Sequence, residues 1–313
     1  MLRLLMCILL AHAAAHAADS GQWRPAGTGR ARRARRACCA EPCRTEPRPL
    51  PFMNTAYGRP GSLADPAFDR GGDCGVHGFK CVASFGLYGN STVYTTGALR
   101  NAMLMDTVYP GWVARFYYDP ETVPAPVLDE LEAAGAELVA HKAAKTMFAR
   151  FLVAGDPTVD RYIVRDVDSR LGMRERAAVD EWIASGYSVH SMRDHPSHGR
   201  PLNGGMWGGV KGALADIEAL VATFGAQAAY NADQDFLGSV VYPRVELDYI
   251  SHDSVKCTDF PNARPFPTRR VGAEHVGMVF SADEAPRMFD MAVFFTGWTA
   301  PAQCRREGGW TKG

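Results

Sequence analysis

The sequence predicts an α/β protein, a single domain with a mostly parallel, open sheet flanked by helices, after a disordered N-terminal segment. From about residue 77, short apolar runs alternate with helical patterns, which is typical of parallel strands joined by helical crossovers. Residues 19–76 are dominated by Gly, Pro, Arg and Ser, a composition that cannot form a packed core. The 313 residues, 47% of them hydrophobic, suffice for one large α/β domain or two modest ones, and we place one domain at 77–313.

The first 18 residues have the pattern of a secretory signal peptide. Arg3 is followed by the apolar run Leu4–Leu10, and Ala15 and Ala17 supply small residues near a cleavage site. The apolar run is shorter than the ~20 residues that span a bilayer. We therefore predict a cleaved signal over residues 1–18 and no transmembrane span. The expected location is the secretory pathway, in the lumen of the ER or Golgi, or outside the cell.

Residues 19–76 are predicted to be a low-complexity spacer. Its basic run, Arg30–Arg36, is most simply a solvated linker, with a processing site or a patch for anionic glycans or membrane as alternatives. Of the 8 cysteines, all but Cys7 lie beyond the signal. Their number is odd, so at least one lacks an intramolecular partner, although the usage agrees with an oxidising compartment. The 34 basic and 34 acidic residues balance, so no global basic field argues for a nucleic-acid partner.

Each element of the domain is predicted from its own local pattern. Apolar runs predict strands at 79–87, 112–118, 136–140, 161–165 and 187–192. Helical periodicity and terminal signals predict helices at 127–134, 145–153, 173–185, 211–224 and 233–240.

The strongest of these helices is 173–185, where Ala178 pairs with Trp182, and Val179 with Ile183, on one face. The run Gly204–Gly209 is predicted to be irregular, because four glycines in six residues are costly to hold in regular structure. Beyond residue 249 the sequence is loop-rich, and we predict few elements there.

Asp166 and Asp168 directly follow the predicted strand at 161–165. In open α/β sheets ligands bind at the carboxyl ends of the strands. Two carboxylates placed there repel each other unless a cation joins them, although a solvated Asx-rich turn explains a bare D-x-D equally well. The later His252 could be a third ligand. Two carboxylates, one imidazole and phosphate oxygens would suit Mn²⁺ or, less comfortably, Mg²⁺.

Three further groups of residues could carry chemistry. His195 and His198 follow a strand end and could bind metal, act as acid or base, or cap a turn. Trp207 could form the wall of a sugar or nucleotide pocket, or pack into the core. Asp233 and Asp235 begin a helix, where acids suit the positive end of the dipole; alternatively, one of them lies over the cleft as a base.

A haloacid-dehalogenase-type phosphatase also uses D-x-D after a strand, with the first Asp as nucleophile. That motif belongs on the first strand of its domain, whereas about 90 globular residues precede Asp166 here. A metal hydrolase built on His195 and His198 lacks a supporting H-E-x-x-H motif. Both readings are therefore disfavoured.

With these residues placed, the chain resembles the metal-dependent glycosyltransferases of the nucleotide-diphospho-sugar transferase (GT-A) fold over roughly residues 80–280. The resemblance rests on the runs Arg165–Leu171, Arg174–Glu175, Glu181–Trp182, Met192–Pro196 and Gly204–Gly208. It implies that a nucleotide-sugar, such as a UDP- or GDP-sugar, lies across the carboxyl edge of the sheet.

The resemblance also implies roles for individual residues. The expected metal ligands are Asp166, Asp168 and His252. The expected donor-binding residues are Arg165, Asp166, Ser169, Arg170 and Trp207. Candidates for the catalytic base are Asp194, Asp233 and Asp235. Residues expected to meet the acceptor, or to act as acid or base, are Arg193, His195 and His198.

The sequence thus predicts a glycosyltransferase of the secretory pathway that uses Mn²⁺ or Mg²⁺ and an unidentified glycan, protein or lipid acceptor. The alternative is a non-catalytic glycan- or nucleotide-binding module of the same fold, followed by a metal-dependent hydrolase or phosphatase.

Overall fold

The computed structural model of the protein describes residues 73–76, 78–141, 147–224 and 229–313. These residues belong to the unit Thr55–Gly313. The predicted signal peptide and nearly all of the predicted spacer lie outside the described residues. Among the residues that are described, no helix is both long and apolar enough to cross a membrane.

Eight strands form one open sheet in the order β3-β2-β1-β4-β6-β5-β7-β8. Their bounds are β1 Cys81–Leu87, β2 Val113–Tyr118, β3 Glu137–Ala140, β4 Arg161–Arg165, β5 Val189–Arg193, β6 Met206–Val210, β7 Tyr249–Asp253 and β8 Ala263–Arg264. Seven strands run in the same direction, and only β6 is antiparallel, to both of its neighbours β4 and β5. The predicted class, an α/β domain with a mostly parallel open sheet, is confirmed.

The helices lie between and after the strands. The α-helices are α1 Thr92–Val108, α2 Ala125–Ala133, α3 Met173–Ser185, α4 Ile217–Thr223, α5 Ala232–Phe236, α6 Tyr242–Val245 and α7 Met288–Phe295. A π-helical turn, Leu237–Val241, joins α5 to α6. The 3₁₀ helices are Ala149–Gly155, Glu246–Asp248 and Ala302–Cys304.

The sheet separates two apolar cores. On β4, Tyr162 and Val164 face one core, while Ile163 between them faces the other, because successive side chains of a strand point to opposite faces. The first core is completed by the 3₁₀ helix at 149–155 and by α4 and α5. The second is covered by α1, α2 and α3. Both faces are therefore buried, as a parallel sheet requires.

The run Gly204–Gly209 was predicted to be irregular, and this prediction is wrong from Met206 onward, where β6 begins. The two glycines of β6, Gly208 and Gly209, lie very close to Tyr162 of β4. A Cβ on Gly208 would lie 2.5 Å from the carbonyl oxygen of Tyr162, and one on Gly209 would lie 2.4 Å from the Tyr162 hydroxyl. Glycine is therefore what lets this strand pair with β4 beneath the tyrosine ring.

Several other elements differ from the prediction. The segment predicted as an α-helix at 145–153 is a 3₁₀ helix at Ala149–Gly155, and its first two predicted residues lie outside the described part of the chain. Helix α4 is shorter than predicted, and α1 was not predicted at all. The loop-rich end contains β7, β8 and α7.

Two disulfides fasten the ends of the described chain to the sheet. Cys74 is joined to Cys81, the first residue of β1, and Cys257, just after β7, is joined to Cys304. Which cysteines are joined to each other was not predicted from the sequence.

Candidate functional site

Three segments of the chain meet at one edge of the sheet. Strands β4 and β5 end there, at Arg165 and Arg193, and the antiparallel β6 begins there, at Met206. This edge opens onto a cavity of about 500 Å³. Its lining residues are Asp166, His195, Ser197, His198, Arg200, Asn203, Gly204, Gly205, Met206, Tyr230, Asn231, Gln234, His275, Gly277, Val279, Arg287 and Asp290.

Asp166 lies at this edge and is held by a buried arginine. Arg150, from the 3₁₀ helix at 149–155, is only 4% exposed. Its Nη1 donates to Asp166 Oδ1, and its Nη2 donates to Asp233 Oδ2 at 3.0 Å. The Ser84 hydroxyl donates to the Arg150 carbonyl at 2.7 Å, which ties this helix to β1. The guanidinium thus bridges two carboxylates from distant parts of the chain.

Asp168 stands beside this bridge. Burial and, to a lesser extent, the neighbouring Asp166 carboxylate raise the pKa of Asp168 to about 6, while Arg150 opposes the rise. Burial also raises the pKa of Tyr94, on α1, and the Asp168 carboxylate adds to this effect. The Asp pair therefore stands where negative charge is costly unless a cation approaches.

The backbone packs directly against these charges at Gly204 and Gly205. A Cβ on Gly205 would fall 2.1 Å from Asp166 Oδ2, and one on Gly204 would fall 2.7 Å from both Arg150 Nη2 and Asp233 Oδ2. Any larger residue would displace the carboxylates. The glycines therefore serve to let the chain pass beside the Asp166–Arg150–Asp233 bridge.

Three histidines surround the other side of the cavity. The ring centroids of His195 and His275 are 4.9 Å apart, and those of His195 and His198 are 5.5 Å apart. Burial lowers the pKa of all three. In His198, burial together with the charges of the other two rings lowers the pKa to about 3. All three imidazoles are therefore neutral at pH 7.

Their hydrogen bonds distinguish the three rings. His195 accepts the Ser197 backbone N–H at Nδ1 and donates from Nε2 to the Asp290 carbonyl, so both nitrogens are engaged. His198 accepts the Asp194 backbone N–H at Nδ1. His275 donates from Nδ1 to the Ala273 carbonyl. In the neutral ring this leaves the His275 Nε2 lone pair available, since the described residues offer it no partner.

The structure corrects the prediction for His252. Its side chain lies within β7 and not beyond the strand end, and it is completely buried. Its Nδ1 lies 2.8 Å from His190 Nε2, and its Nε2 lies 3.5 Å from Glu181 Oε2. His252 is therefore a core histidine that faces α3, and the structure does not bring it together with the Asp pair.

Three of the predicted donor-binding residues have hydrogen-bond or packing partners away from the cavity. Arg165 is buried, and its Nε donates to Glu175 at 3.0 Å. Arg170 donates to Glu284 at 2.6 Å and to the Val167 and Ser169 carbonyls. Trp207 is completely buried, with its ring edge-on to Phe151 and Tyr162. Trp207 thus packs into the core, which was the second of the two roles predicted for it, and none of the three side chains lines the cavity.

Ser169, the remaining predicted donor-binding residue apart from Asp166, caps the turn after β4. Its hydroxyl donates to the Asp166 carbonyl at 2.9 Å, and its backbone bridges to Val279. Ser169 therefore supports the conformation of the Asp166–Asp168 turn, and it does not line the cavity.

The predicted acid–base residues are also corrected. Asp194 is completely buried between Arg174 and Arg270, at 2.8 and 2.6 Å. Burial alone would raise the pKa of Asp194, but the two arginines hold it far below its usual range. Asp194 is therefore a structural counter-ion and cannot take a proton at neutral pH.

Arg193 is likewise a structural residue, since it is completely buried and paired with Asp253 at 2.6 Å. Asp235 is exposed and pairs with Arg200 at 2.7 Å, outside the cavity lining. Asp233 is buried beneath Gly204 in the bridge to Arg150. Of the predicted acid–base residues, only His195 and His198 line the cavity.

Sequence reasoning missed four residues of this site. Arg150 was read as part of an ordinary helix, and His275, Arg287 and Asp290 lie in the region where few elements were predicted. His275 is a late histidine, as His252 is. A lone histidine in a loop differs little in sequence from one in a strand, and the polar neighbours of His252, Ser251 and Asp253, gave no signal that it is buried.

The carboxylate cluster has the charge that a divalent cation would balance. Arg150 faces the carboxylates of Asp166, Asp168 and Asp233. Arg287 also acts on Asp168, but it is paired with Asp290, so the formal charge of these two arginines and four carboxylates is −2. Carboxylate oxygens are hard ligands that suit Mg²⁺ and Mn²⁺. In the part of the chain that the structure describes, the one set of three potential ligands within 4.8 Å of one another is Asp253, Cys257 and Cys304, whose cysteines form a disulfide.

Comparisons with known proteins bear on the fold. No protein-family model and no curated protein matches the chain in sequence. Among solved structures, the chain is similar to a glycosyltransferase involved in the glycosylation of the major capsid of PBCV-1, with 16% identity over 56% of this chain and 81% of that one, at a TM-score of 0.38.

Two further solved structures are similar over the same share of this chain. Glucosyl-3-phosphoglycerate synthase from Mycobacterium tuberculosis has 13% identity, 70% of its length covered and a TM-score of 0.36. A putative nucleotide-diphospho-sugar transferase from Desulfovibrio desulfuricans G20 has 11% identity, 79% covered and a TM-score of 0.33. All three TM-scores lie below 0.5, and the fold class rests on the strand order and directions of the sheet.

Proposed function

We propose that the protein is a glycosyltransferase that transfers a sugar from a nucleotide-diphospho-sugar, held by Mn²⁺ or Mg²⁺, to an acceptor. The observation that carries the proposal is the Asp166–Asp168 pair at the carboxyl edge of a mostly parallel sheet, beside a cavity of about 500 Å³. The cluster around the pair has a formal charge of −2. A divalent cation would balance this charge and would bridge the carboxylates to the anionic diphosphate of the donor.

Asp166 and Asp168 would hold the ion, and diphosphate oxygens and water would complete its shell, as is usual when one or two carboxylates bind Mg²⁺ with a substrate phosphate. A bound divalent ion supplies charge stabilisation for the departing nucleoside diphosphate. Asp166 Oδ1 is already engaged by Arg150. Its Oδ2 and the Asp168 carboxylate therefore remain for the cation.

His275 fits the late histidine of the resemblance better than His252 does. It lines the same cavity as Asp166, and its Nε2 has a lone pair without a partner among the described residues. Burial lowers the pKa of His275, so the ring is neutral and able to act as a ligand at pH 7. We propose that its Nε2 faces the cation when the cation is bound, because a lone pair cannot donate to the diphosphate oxygens.

Two observations concern where the protein works. The disulfides Cys74–Cys81 and Cys257–Cys304 fit an oxidising compartment. We propose, in agreement with the predicted signal, that the protein acts in the secretory pathway or outside the cell, on a glycan, protein or lipid acceptor.

The test is thermal melting with Mn²⁺ and a panel of nucleotide-sugars, for the parent protein and Asp168→Asn. We expect a nucleotide to stabilise the parent protein only when Mn²⁺ is present, and to have no such effect on Asp168→Asn. Asp180→Asn, an exposed carboxylate of α3, is the control for loss of charge and should behave as the parent does. If no nucleotide stabilises the parent in a metal-dependent way, the proposal is wrong.

A non-catalytic binding module of the same fold is the second candidate. The observation that favours it is that Arg150 already neutralises one oxygen of Asp166, so a sugar-nucleotide could be held without turnover. Release of nucleoside diphosphate from the bound donor, followed over hours with a broad set of acceptors, separates the two. Binding without any release supports the module.

A further inference from the structure

Asp233 lies directly behind the proposed cation site without lining the cavity. Its side chain is 1% exposed, and its Oδ2 accepts from Arg150 Nη2 at 3.0 Å. A buried carboxylate is costly unless it is paired, so the arginine explains why Asp233 is tolerated. The arrangement leaves no route for Asp233 to reach a substrate hydroxyl, because Gly204 and the guanidinium cover it.

Arg150 also contacts a second carboxylate, that of Asp166, with its other terminal nitrogen. Its Nη1 donates to Asp166 Oδ1, and its guanidinium carbon lies 5.4 Å from the centre of the Phe151 ring. Its Nε has no hydrogen-bond partner among the described residues. The guanidinium is thus fixed by two carboxylates and an aromatic ring. Its single positive charge is shared between Asp166, which faces the cavity, and Asp233, which does not.

This sharing has an electrostatic consequence. If Arg150 paired with Asp166 alone, its charge would cancel most of the attraction that Asp166 exerts on a cation. Asp233 offsets that charge from behind, so Arg150 can fix the orientation of the Asp166 carboxylate while the cluster keeps the charge of −2. The geometry is specific to arginine, because only a planar fork can donate to two carboxylates in this way.

We propose that Asp233 acts through Arg150 as a counter-ion that sets the affinity of the Asp166–Asp168 pair for a divalent cation. Asp233 is then a positioning residue and does not act as a base. The inference rests on the proposed cation site, and it assigns to this carboxylate a role that requires no contact with metal, donor or acceptor.

The unsatisfied atoms behind the bridge agree with this role. Asp233 Oδ1 and the neighbouring Gln234 Oε1 are buried and have no hydrogen-bond partner among the described residues. A carboxylate kept only for packing could be replaced by an amide at little cost, because Asn has the same shape. The role as counter-ion, in contrast, depends on the charge, so an isosteric neutral residue tests it directly.

The experiment measures the dissociation constant of Mn²⁺ by calorimetry, without nucleotide, for four full-length proteins: the parent, Asp233→Asn, Asp216→Asn and the double variant Arg150→Met/Asp233→Asn. Asp216 pairs with Arg244 at the surface and lies outside the cavity lining, so its variant controls for the loss of one negative charge. Circular dichroism and thermal melting establish that each variant is folded.

We expect Asp233→Asn to weaken Mn²⁺ binding by at least about tenfold, the effect of one unit charge on a divalent ion ~6 Å away even at the dielectric constant of water. Asp216→Asn should bind as the parent does. The double variant removes one charge of each sign and restores the formal charge of the cluster. It should bind Mn²⁺ several-fold more tightly than Asp233→Asn but more weakly than the parent, because Arg150 no longer orients Asp166. Replacing both members of a buried pair is often tolerated.

The outcomes separate this inference from the proposed function. If the parent protein does not bind Mn²⁺, the proposed cation site is wrong. If the parent binds and Asp233→Asn binds equally well, the counter-ion role is wrong while the cation site stands. If Asp233→Asn is weak and the folded double variant remains equally weak, Asp233 acts through packing and not through charge, and the inference is also overturned.

Discussion

Replacing Gly205 with alanine tests the close approach at the centre of the site. The added methyl group would lie 2.1 Å from Asp166 Oδ2, 2.4 Å from its Cγ and 2.8 Å from its backbone nitrogen. The carboxylate can swing away from the methyl group, but the backbone nitrogen cannot move without disturbing the end of β4. The substitution should therefore both destabilise the protein and displace Asp166 from Arg150.

The magnitude follows from these contacts. Forcing one extra carbon into a packed site costs about 1–3 kcal/mol. In a domain of this size each kcal/mol lowers the melting temperature by about 2–4 °C, so we expect a decrease of about 4–8 °C for a cost of about 2 kcal/mol. The displaced carboxylate should also weaken Mn²⁺ binding by about tenfold or more, because one of its two proposed ligands has moved.

The assay is differential scanning calorimetry without metal, followed by Mn²⁺ titration. Gly238→Ala is the matched control, since nothing lies within 4 Å of a Cβ at that position in the π-helical turn. Alanine is a better helix former than glycine, so the control should melt at or slightly above the parent temperature. If Gly205→Ala melts within 1 °C of the parent and binds Mn²⁺ equally well, the close packing of Gly205 against Asp166 is wrong.

Three further predictions concern structural residues. Asp194→Asn should cost about 3–5 kcal/mol of unfolding free energy, measured with urea, because it leaves two buried arginines without their carboxylate; a loss below 1 kcal/mol would contradict its role as counter-ion. Burial would raise the pKa of Glu181, but hydrogen bonds from His252 and Arg306 lower it to about 2, so the stability it contributes is present above pH 4.5 and is lost as the pH falls towards 2. Glu181→Gln should therefore reduce the loss of unfolding free energy between pH 4.5 and pH 2 by about 1–2 kcal/mol after solvent screening. An unchanged dependence of stability on pH would count against the pairing of Glu181 with His252 and Arg306. Replacing both cysteines of Cys257–Cys304, 47 residues apart, should cost about 4 kcal/mol, and replacing both of the pair only 7 apart should cost about 2.5 kcal/mol; the reverse order would argue against loop entropy as the cause.

Elements with strong local signals could be predicted from the sequence to the residue. The apolar run of β4 and the i,i+4 pairs of α3 gave the bounds Arg161–Arg165 and Met173–Ser185 that the structure shows. Helix α3 also ends at Gly186, whose φ of 71° is the left-handed conformation that favours glycine. The position of Asp166 and Asp168 at the edge of the sheet followed from the end of β4, because β4 belongs to a parallel sheet.

The elements that were missed depend on contacts distant in sequence. The sequence of β6 looks irregular because of its glycines. These are required by the close approach of Gly208 to the Tyr162 carbonyl and of Gly209 to the Tyr162 ring, and Tyr162 lies 46 residues or more away in the chain. Helix α1 contains threonines and a glycine that weaken its local signal, and its buried side chains reveal their pattern only against the sheet. Arg150 could not be assigned to the site, because its partners Asp166 and Asp233 become its neighbours only in the folded chain.

The site's two walls come from different parts of the chain. One wall, formed by Asp166 and residues 195–206, follows the ends of β4 and β5 and the start of β6. A second wall, from His275 to Asp290, belongs to no strand of the sheet, although hydrogen bonds such as that from the Phe280 N–H to the Asp168 carbonyl join it to the first. Local unfolding follows contiguous cooperative units, and a segment outside the sheet lacks the ladder of backbone hydrogen bonds that protects the strands. Amide exchange should therefore be slow at the first wall and faster at the second, and substitutions in the second wall can change what the cavity admits while leaving the carboxylate pair in place.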